Sequence, residues 1–378
     1  MNKIDIELFP FNFDKLPTIS IKFVNNDKKH ENKIFVDSYT DLIKIKNSIN
    51  KCNEWDKIKK IINTYEKVYI PNCNSISRYK PISRSYFKLW ETIIDYSLIN
   101  NQNPITTLHL AEAPGGFVEA TINYRKLYCN EINDKIYAVT ISPSNSRVPE
   151  WKGKILNTNT NLIYSDICDE DTISKIIKKM DGNKADFITA DGAFDCSENF
   201  NEQEQVSSKL IFCEVVTALC QQKLNGTFIF KIFDIFDSLT IKLIYFMTNF
   251  YGNVYITKPL TSREGNSEKY VIATNFRGIS FIYLKKLINI IKIWNSIENS
   301  GYFVNDLFEF ELSLNHLNQI KSYNDYIVNR QKKSLKRGIH IINNGINSNN
   351  KLIIDNLQTE LAILWCNKYN IPHFKNIS

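Results

Sequence analysis

Cysteine pairs at metal-site or redox-site spacing are absent from this 378-residue chain. Cys52, Cys73, Cys129, Cys168, Cys196, Cys213, Cys220 and Cys366 form no C-x-x-C, and none has a histidine at ligand spacing. That leaves a structural zinc site without a basis and points to a reduced, intracellular protein. Long apolar runs are missing too: no stretch reaches the ~20 residues that span a bilayer. The N-terminus, MNKIDIELFPFNF, lacks a basic segment followed by an apolar one. The expectation is a chain neither secreted nor embedded in a membrane, placed in the cytoplasm (a viral factory or virion included) rather than the nucleus. Internal repeats are also absent.

The chain is 43% hydrophobic and 12% aromatic, which suits one large domain or one domain with substantial flanks. Its net charge of +7 is compatible with an anionic partner such as RNA and equally with a lysine-rich solvated surface. The abundance of Asn, Ile and Lys fits an AT-rich genome, which accounts for part of that charge.

Three regions are expected. Residues 1–75 read as an N-terminal extension without an assigned role, with an alternating run at Thr18–Val24 and helical spacing over 40–66. Pro71 to Pro81 marks a boundary. Residues 76–278 read as α/β. Strands are predicted at Thr107–Ala111, Lys135–Thr140, Leu162–Tyr164, Phe187–Ala190, Thr227–Lys231, Asn253–Thr257 and Lys269–Ala273. Helices are predicted at Gly116–Leu127, Thr172–Lys179, Glu202–Lys223 and Ile235–Phe250. Such alternation argues for a parallel sheet with helices on both faces. The last two strands are close enough in sequence to pair antiparallel at a sheet edge. Residues 279–378 read as helical without strands: Ile279–Ile297, Leu307–Lys333 and Leu352–Tyr369 are helices, and Ser334–Asn350 is a polar connection.

Five segments carry the chemistry: SRSYFKLWE at 83–91, LAEAPGGF at 110–117, TADGAFD at 189–195, FKIFD at 230–234 and GNSEKYVIAT at 265–274. In the second, Glu112, Ala113, Pro114, Gly115, Gly116 and Phe117 lead from a strand into a helix. Glycines admit close backbone approach, and a helix N-terminus offers free N–H groups. The spacing is neither G-x-G-x-x-G nor G-x-x-x-x-G-K-[ST], which disfavours dinucleotides and P-loop nucleotides. An acid beside a Pro-Gly-Gly turn suits a cationic cofactor such as S-adenosyl-L-methionine; an ordinary strand-to-helix turn is the plain alternative. Asp166 follows a strand and would either accept from an adenine amino group or cap a helix.

Lys88, Asp191, Lys231 and Glu268 fall at element ends in the other four segments. Taken singly, Lys231 is a lysine emerging at a strand's solvent end, Asp191 a helix cap, and Lys88 and Glu268 surface groups. Taken together, two lysines and two acids form a site that can deprotonate a hydroxyl, with an RNA ribose 2′-OH the expected one. The base must be a neutral amine when it acts, so a lysine pKa below the usual ~10.4 is expected.

In this order the five segments resemble the FtsJ-like ribose 2′-O-methyltransferases, whose Lys-Asp-Lys-Glu tetrad falls on Lys88, Asp191, Lys231 and Glu268. The stretch TADGAFDCSENFNEQEQVSSKLIFCEVVTAL with KPLTSREGNSEKYVI is most similar to the adrift-type mRNA cap methyltransferases of eukaryotes and large DNA viruses. The resemblance covers roughly residues 80–277. It implies a Rossmann-like S-adenosylmethionine-dependent sheet, with cofactor bound by Glu112 to Phe117, Asp166 and Asp191. It implies Lys231 as general base, tuned and oriented by Lys88, Asp191 and Glu268. Two departures accompany it. His109 stands where bacterial members carry an acid, so Glu112 takes that part and His109 is expected to be a packed strand residue. AVTISPS ends the second strand without an acid for the cofactor ribose, leaving Thr140, Ser142 or water.

The implied substrate is capped mRNA, methylated on the ribose of its first or second transcribed nucleotide, with a capping enzyme or the transcription machinery as a possible partner. Ribosomal or transfer RNA is the alternative substrate, and a non-catalytic RNA-binding subunit the alternative of another class. The run KSYNDYIVNRQKKSLKR, Lys321–Arg337, reads either as an RNA phosphate contact or as a solvated helix face. No metal ligand set is predicted.

Overall fold

The structure, a computed structural model, describes residues 4–11, 16–25, 32–49, 52, 54–71, 75–99, 102–129, 133–142, 149–194 and 200–374. Its first elements are β1 (Ile4–Glu7), β2 (Ile19–Asn25), α1 (Val36–Ile49), α2 (Trp55–Ile61) and α3 (Ser85–Tyr96). The α/β alternation follows as β3 (Thr106–Leu110), α4 (Gly116–Tyr128), β4 (Lys135–Thr140), α5 (Gly153–Leu156), β5 (Thr160–Tyr164), α6 (Thr172–Lys179) and β6 (Ala185–Ala190). It continues through α7 (Gln203–Gln221), β7 (Gln222–Ile232), α8 (Ser238–Met247), β8 (Tyr251–Lys258) and β9 (Lys269–Phe276). Then come α9 (Phe281–Asn299), β10 (Tyr302–Phe308), α10 (Leu314–Asn344) and α11 (Ser348–Lys368).

Eight strands form one sheet in the order β1-β8-β9-β7-β6-β3-β4-β5. From β5 to β7 neighbouring strands run parallel. Their apolar runs are buried on both faces, as parallel strands covered by helices must be: Leu108, Leu110, Ile188, Ala190, Phe228 and Phe230 are wholly buried. The chain turns from β3 to β4 on one side and reaches β6 on the other, so a topological switch point lies between β3 and β6. Ligands of open α/β sheets bind outside the carboxyl ends of the strands at such a point. Glu112 follows β3 and Asp191 follows β6, so both stand there.

The predicted α/β strands and helices are all present, with ends displaced by up to five residues. The antiparallel pair is also present, but not as an edge: β9 lies between β7 and β8, and β1 covers β8. Two expectations for the C-terminal region are overturned. Tyr302–Phe308 is a strand that pairs antiparallel with β2 to make a second sheet. Only its last two residues, Leu307 and Phe308, fall in a predicted helix, and Tyr302–Asp306 carry no predicted element. The polar stretch from Ser334 is not a connection as far as Asn344: it continues α10, burying Ser334, Leu335, Gly338 and Ile341 along one side. The predicted Leu307–Lys333 helix therefore begins at Leu314 and ends later.

The extension is integrated with the α/β unit. Lys46 of α1 pairs with Asp234 just beyond β7 at 2.7 Å, and Lys33 pairs with Asp237 at 2.6 Å. Within Lys321–Arg337, Lys321 pairs with Asp325 (2.6 Å), Arg330 with Glu264 (2.7 Å) and Lys332 with Asp41 (3.6 Å). Arg330 and Lys332 thus tie α10 to the rest of the fold, while the Lys321 pair lies within the helix. Among the described residues no helix is long and apolar enough to cross a membrane and no group of His, Cys, Asp or Glu could hold a metal ion. Cys52, Cys129, Cys168, Cys213, Cys220 and Cys366 are free thiols; Cys73 and Cys196 lie outside the described residues.

Candidate active site

The four predicted catalytic residues converge as two ion pairs. Lys88 Nζ lies 2.7 Å from Glu268 Oε2, and Lys231 Nζ lies 3.1 Å from Asp191 Oδ1 while donating to the Asp191 carbonyl at 2.6 Å. Each comes from a different element: Lys88 from α3, Asp191 from the end of β6, Lys231 from β7, and Glu268 from the loop before β9. The pairs are coupled, since the Glu268 charge acts on Lys231 as well as on Lys88.

Their protonation follows from competing forces. Burial works to lower the Lys231 pKa, but Asp191, Glu268 and Glu214 outweigh it and hold the ammonium above the ordinary 10.5. This corrects the expectation of a depressed lysine: the surrounding carboxylates favour the Lys231 ammonium. For Glu268 burial favours the neutral acid, yet Lys88 and Lys231 prevail and bring its pKa down to about 2.

Several residues that sequence reasoning passed over hold this arrangement. Tyr270 stands directly opposite Lys231 in the β7–β9 register, so both side chains share a face. Its hydroxyl donates to Asp191 Oδ1 at 2.9 Å. The two-residue alternation from Glu268 to Tyr270 was the available signal. Ser262 donates to Glu268 Oε1 at 2.9 Å, and Lys258 Nζ donates to the carbonyls of Asn266 (2.7 Å) and Glu268 (2.8 Å). Burial, then repulsion from Lys269, lowers Lys258 to about 7. Glu91, fully buried in the segment that supplies Lys88, accepts from the Thr261 N–H (3.2 Å) and hydroxyl (3.0 Å) and from Trp365 Nε1 (3.0 Å). It anchors the loop that delivers Glu268.

The cofactor loop has the expected form. Gly115 has φ +109, and a Cβ there would stand 2.5 Å from Ile155 Cγ1; a Cβ on Gly116 would meet Ser83 Oγ and Ser85 Oγ at 2.2 and 2.1 Å. The positive φ makes Gly115 the position that needs glycine, and at Gly116 a Cβ would displace the two serine hydroxyls. The Ala113–Pro114 bond is cis. Glu112 is 4% exposed; Oε1 accepts from the Thr189 hydroxyl, and Oε2 has no hydrogen-bond partner. Burial, then repulsion from Asp191, raises its pKa well above the usual carboxylate value. An orphaned carboxyl oxygen at the switch point fits a cationic ligand such as the amino or sulfonium group of S-adenosylmethionine.

His109 is the packed strand residue expected. It is wholly buried between Thr189 Oγ1 (2.8 Å) and Thr107 Oγ1 (3.1 Å), and burial lowers its pKa to about 3. The Phe117 ring turns into the core against Tyr270, 5.7 Å between centroids, which leaves its backbone rather than its ring for a ligand. Asp166 stands beyond β5, two strands from β3, with Oδ1 accepting from the Cys168 N–H at 2.9 Å. The structure does not bring it into contact with the Glu112 cluster. Thr140 is buried at the end of β4 and Ser142 is exposed. In TADGAFD, Asp195 lies outside the described residues, as do 196–199 beyond it.

Residues 81–276 match the model for FtsJ-like methyltransferase. The chain belongs to the FtsJ-like methyltransferase family. That family is of the kind that uses S-adenosylmethionine. Among relatives of this FtsJ-like chain, the "Cap-specific mRNA (nucleoside-2'-O-)-methyltransferase 2" of Mus musculus is 28% identical over 63% of the chain and 34% of that protein. The "Cap-specific mRNA (nucleoside-2'-O-)-methyltransferase" of Autographa californica nuclear polyhedrosis virus is 31% identical over 50% of the chain and 78% of that protein. A protein of Acanthamoeba polyphaga mimivirus named as uncharacterized is 26% identical over 85% of the chain, so similarity extends beyond the family domain. The chain spans about a third of the length of the animal relatives.

Glu214 of α7 adds a third buried acid behind Asp191. It is wholly buried, with the Gly192 backbone beside its carboxyl and no side-chain hydrogen-bond partner. Burial, opposed by Lys231, raises its pKa to about 8. A carboxyl whose folded pKa exceeds its unfolded value of 4.5 loses stability for the fold as pH rises from there through about 8. Glu214→Gln removes that loss. Its Tm advantage over the parent should therefore grow between pH 5 and pH 8 by roughly 2–4 °C or more. Thermal scans giving a pH-independent difference would remove Glu214 as a buried neutral acid.

Proposed function

We propose that this protein transfers a methyl group to a ribose 2′-OH near the 5′ end of capped RNA, on the first or second transcribed nucleotide. The observation that carries the reading is Lys231, fixed by Asp191 and coupled to the Lys88–Glu268 pair, on the wall of a cavity of about 240 Å³. The names of the animal and baculovirus relatives support a cap-proximal substrate.

S-adenosylmethionine, when bound, supplies an electrophilic methyl group on its sulfonium. Glu112 and the backbone N–H groups at the start of α4 would hold it. Lys231 would remove and keep the 2′-OH proton as the ribose oxygen bonds to the methyl carbon and the methyl–sulfur bond breaks, its electron pair leaving on sulfur as a neutral thioether. Asp191 and Tyr270 aim the amine, while Lys88 and Glu268 fix its surroundings, so much of the rate comes from positioning. Lys231 must be neutral when the ribose arrives. Seated RNA excludes water and strengthens the desolvation that already works to lower its pKa.

The test is methyl transfer from labelled S-adenosylmethionine to matched short RNAs, capped and uncapped, with nuclease mapping of the product. Label on a cap-proximal ribose supports the reading and names the nucleotide. Label confined to uncapped or structured RNA moves the substrate to ribosomal or transfer RNA. Bound cofactor without label on any RNA overturns the catalytic reading.

A further inference from the structure

The walls of the catalytic cavity extend beyond the family match. Lys231, Phe233, Gly265 and Glu268 line it from within residues 81–276, but Lys46, Trp55 and Lys59 come from α1 and α2, and Gln331 and Leu335 from α10. The two flanks, separated by more than two hundred residues in sequence, meet over the catalytic lysine.

Trp55 is the notable member of this outer wall. It opens α2 and is partly buried. The ring is fixed from α10, since a Cβ on Gly338 would stand 2.5 Å from its Cζ3 and 3.1 Å from its Cη2. Gly338 lies inside a 31-residue helix, where glycine costs stability. The close approach of the indole gives a reason for it. Trp55 also packs against the cluster of Ile58, Ile62 and Ile341. Phe233, on the same cavity, is only 4% exposed and offers far less surface. The cavity exceeds the ~150 Å³ that holds benzene in a protein interior, so an aromatic base fits within it. Lys59 lines it too, with its side chain 28% exposed and its ion-pair partner Asp56 83% exposed. Such pairs hold weakly, leaving the ammonium free to meet a phosphate.

We propose that Trp55 is the stacking platform for an RNA base delivered with the reacting ribose, that Gly338 sets the position of its ring, and that Lys59 meets a neighbouring phosphate. This rests on the reading of the site as an RNA 2′-O-methyltransferase and assigns its substrate contacts to the flanks. Stacking on an indole face is tolerant of base identity.

The experiment is fluorescence anisotropy of a short labelled capped RNA with the full chain, alongside calorimetry of S-adenosylmethionine. Trp55→Ala should weaken RNA binding by roughly 5- to 150-fold, the span of a lost base–aromatic stack. Trp55→Phe should retain most of the affinity, and cofactor binding should be unchanged in both. Gly338→Ala displaces the indole without altering its chemistry and should also weaken RNA binding. It decides the matter if Trp55→Ala fails to fold. RNA affinity equal to the parent's in a folded Trp55→Ala or Gly338→Ala overturns the platform alone. A parent protein that binds neither capped nor uncapped RNA overturns the functional reading, and the platform with it.

Discussion

Lys231→Ala is expected to lower the turnover of methyl transfer by about 10²- to 10⁴-fold, the usual worth of a positioned general base. S-adenosylmethionine should still bind, because Glu112 and the turn before α4 are untouched. Asp191 keeps its hydrogen bond from Tyr270 in that variant, so one carboxylate partner remains. Lys231→Arg separates two roles. Arginine preserves the charge between Asp191 and Glu268 but does not release its proton. It should be as inactive as alanine if Lys231 is the base, and substantially active if the residue only supplies positive charge. The pH dependence makes a further demand. Since kcat/KM reports the free enzyme, and Lys231 there sits above 10.5, kcat/KM for RNA should climb close to tenfold per pH unit through neutrality. A plateau below pH 9 would show a different base. Retained turnover in Lys231→Ala would end the assignment outright.

The sign of that pKa shift marks where sequence reasoning stopped. The sequence displays two lysines and two acids at element ends, and so displays a site. It does not display distances, and whether burial or the carboxylates dominate Lys231 depends on a 3.1 Å separation from Asp191. The α/β strands were legible because apolar runs buried on both faces need no knowledge of their neighbours. β10 was not, since YFVNDLF becomes a strand only through pairing with β2, more than two hundred and seventy residues earlier. The end of α10 was hidden for a related reason: Ser334–Asn350 is polar and broken by Asn-Asn-Gly and Asn-Ser-Asn-Asn in sequence, whereas in the fold its first part buries Leu335 and Ile341 and Gly338 makes room for Trp55. Glu91 and Glu214 lay in plain view inside apolar helical runs. Their importance comes from what surrounds them, the loop at Thr261 for one and Lys231 with Asp191 for the other.

Glu112→Gln is expected to weaken S-adenosylmethionine binding by roughly 10- to 150-fold, the range of a hydrogen bond to a charged group. The substitution keeps the side chain's length and an oxygen to accept from Thr189, and removes only the capacity for charge. Stability should not fall, because the carboxyl it replaces is buried, lacks a partner at Oε2 and is pushed towards its neutral form by burial and by Asp191. Loss of cofactor affinity with an unchanged or higher Tm would therefore separate binding from folding. The pH dependence gives an independent check. A cation seated against Glu112 favours its carboxylate, so binding should release a proton and tighten as pH rises through the elevated pKa of the free acid. Calorimetry in buffers of different ionisation enthalpy reads that proton directly, and Glu112→Gln should abolish its release. Proton release that persists in the variant would place the cationic contact on another acid held in its neutral form, with Glu214, raised to about 8 by burial, the candidate.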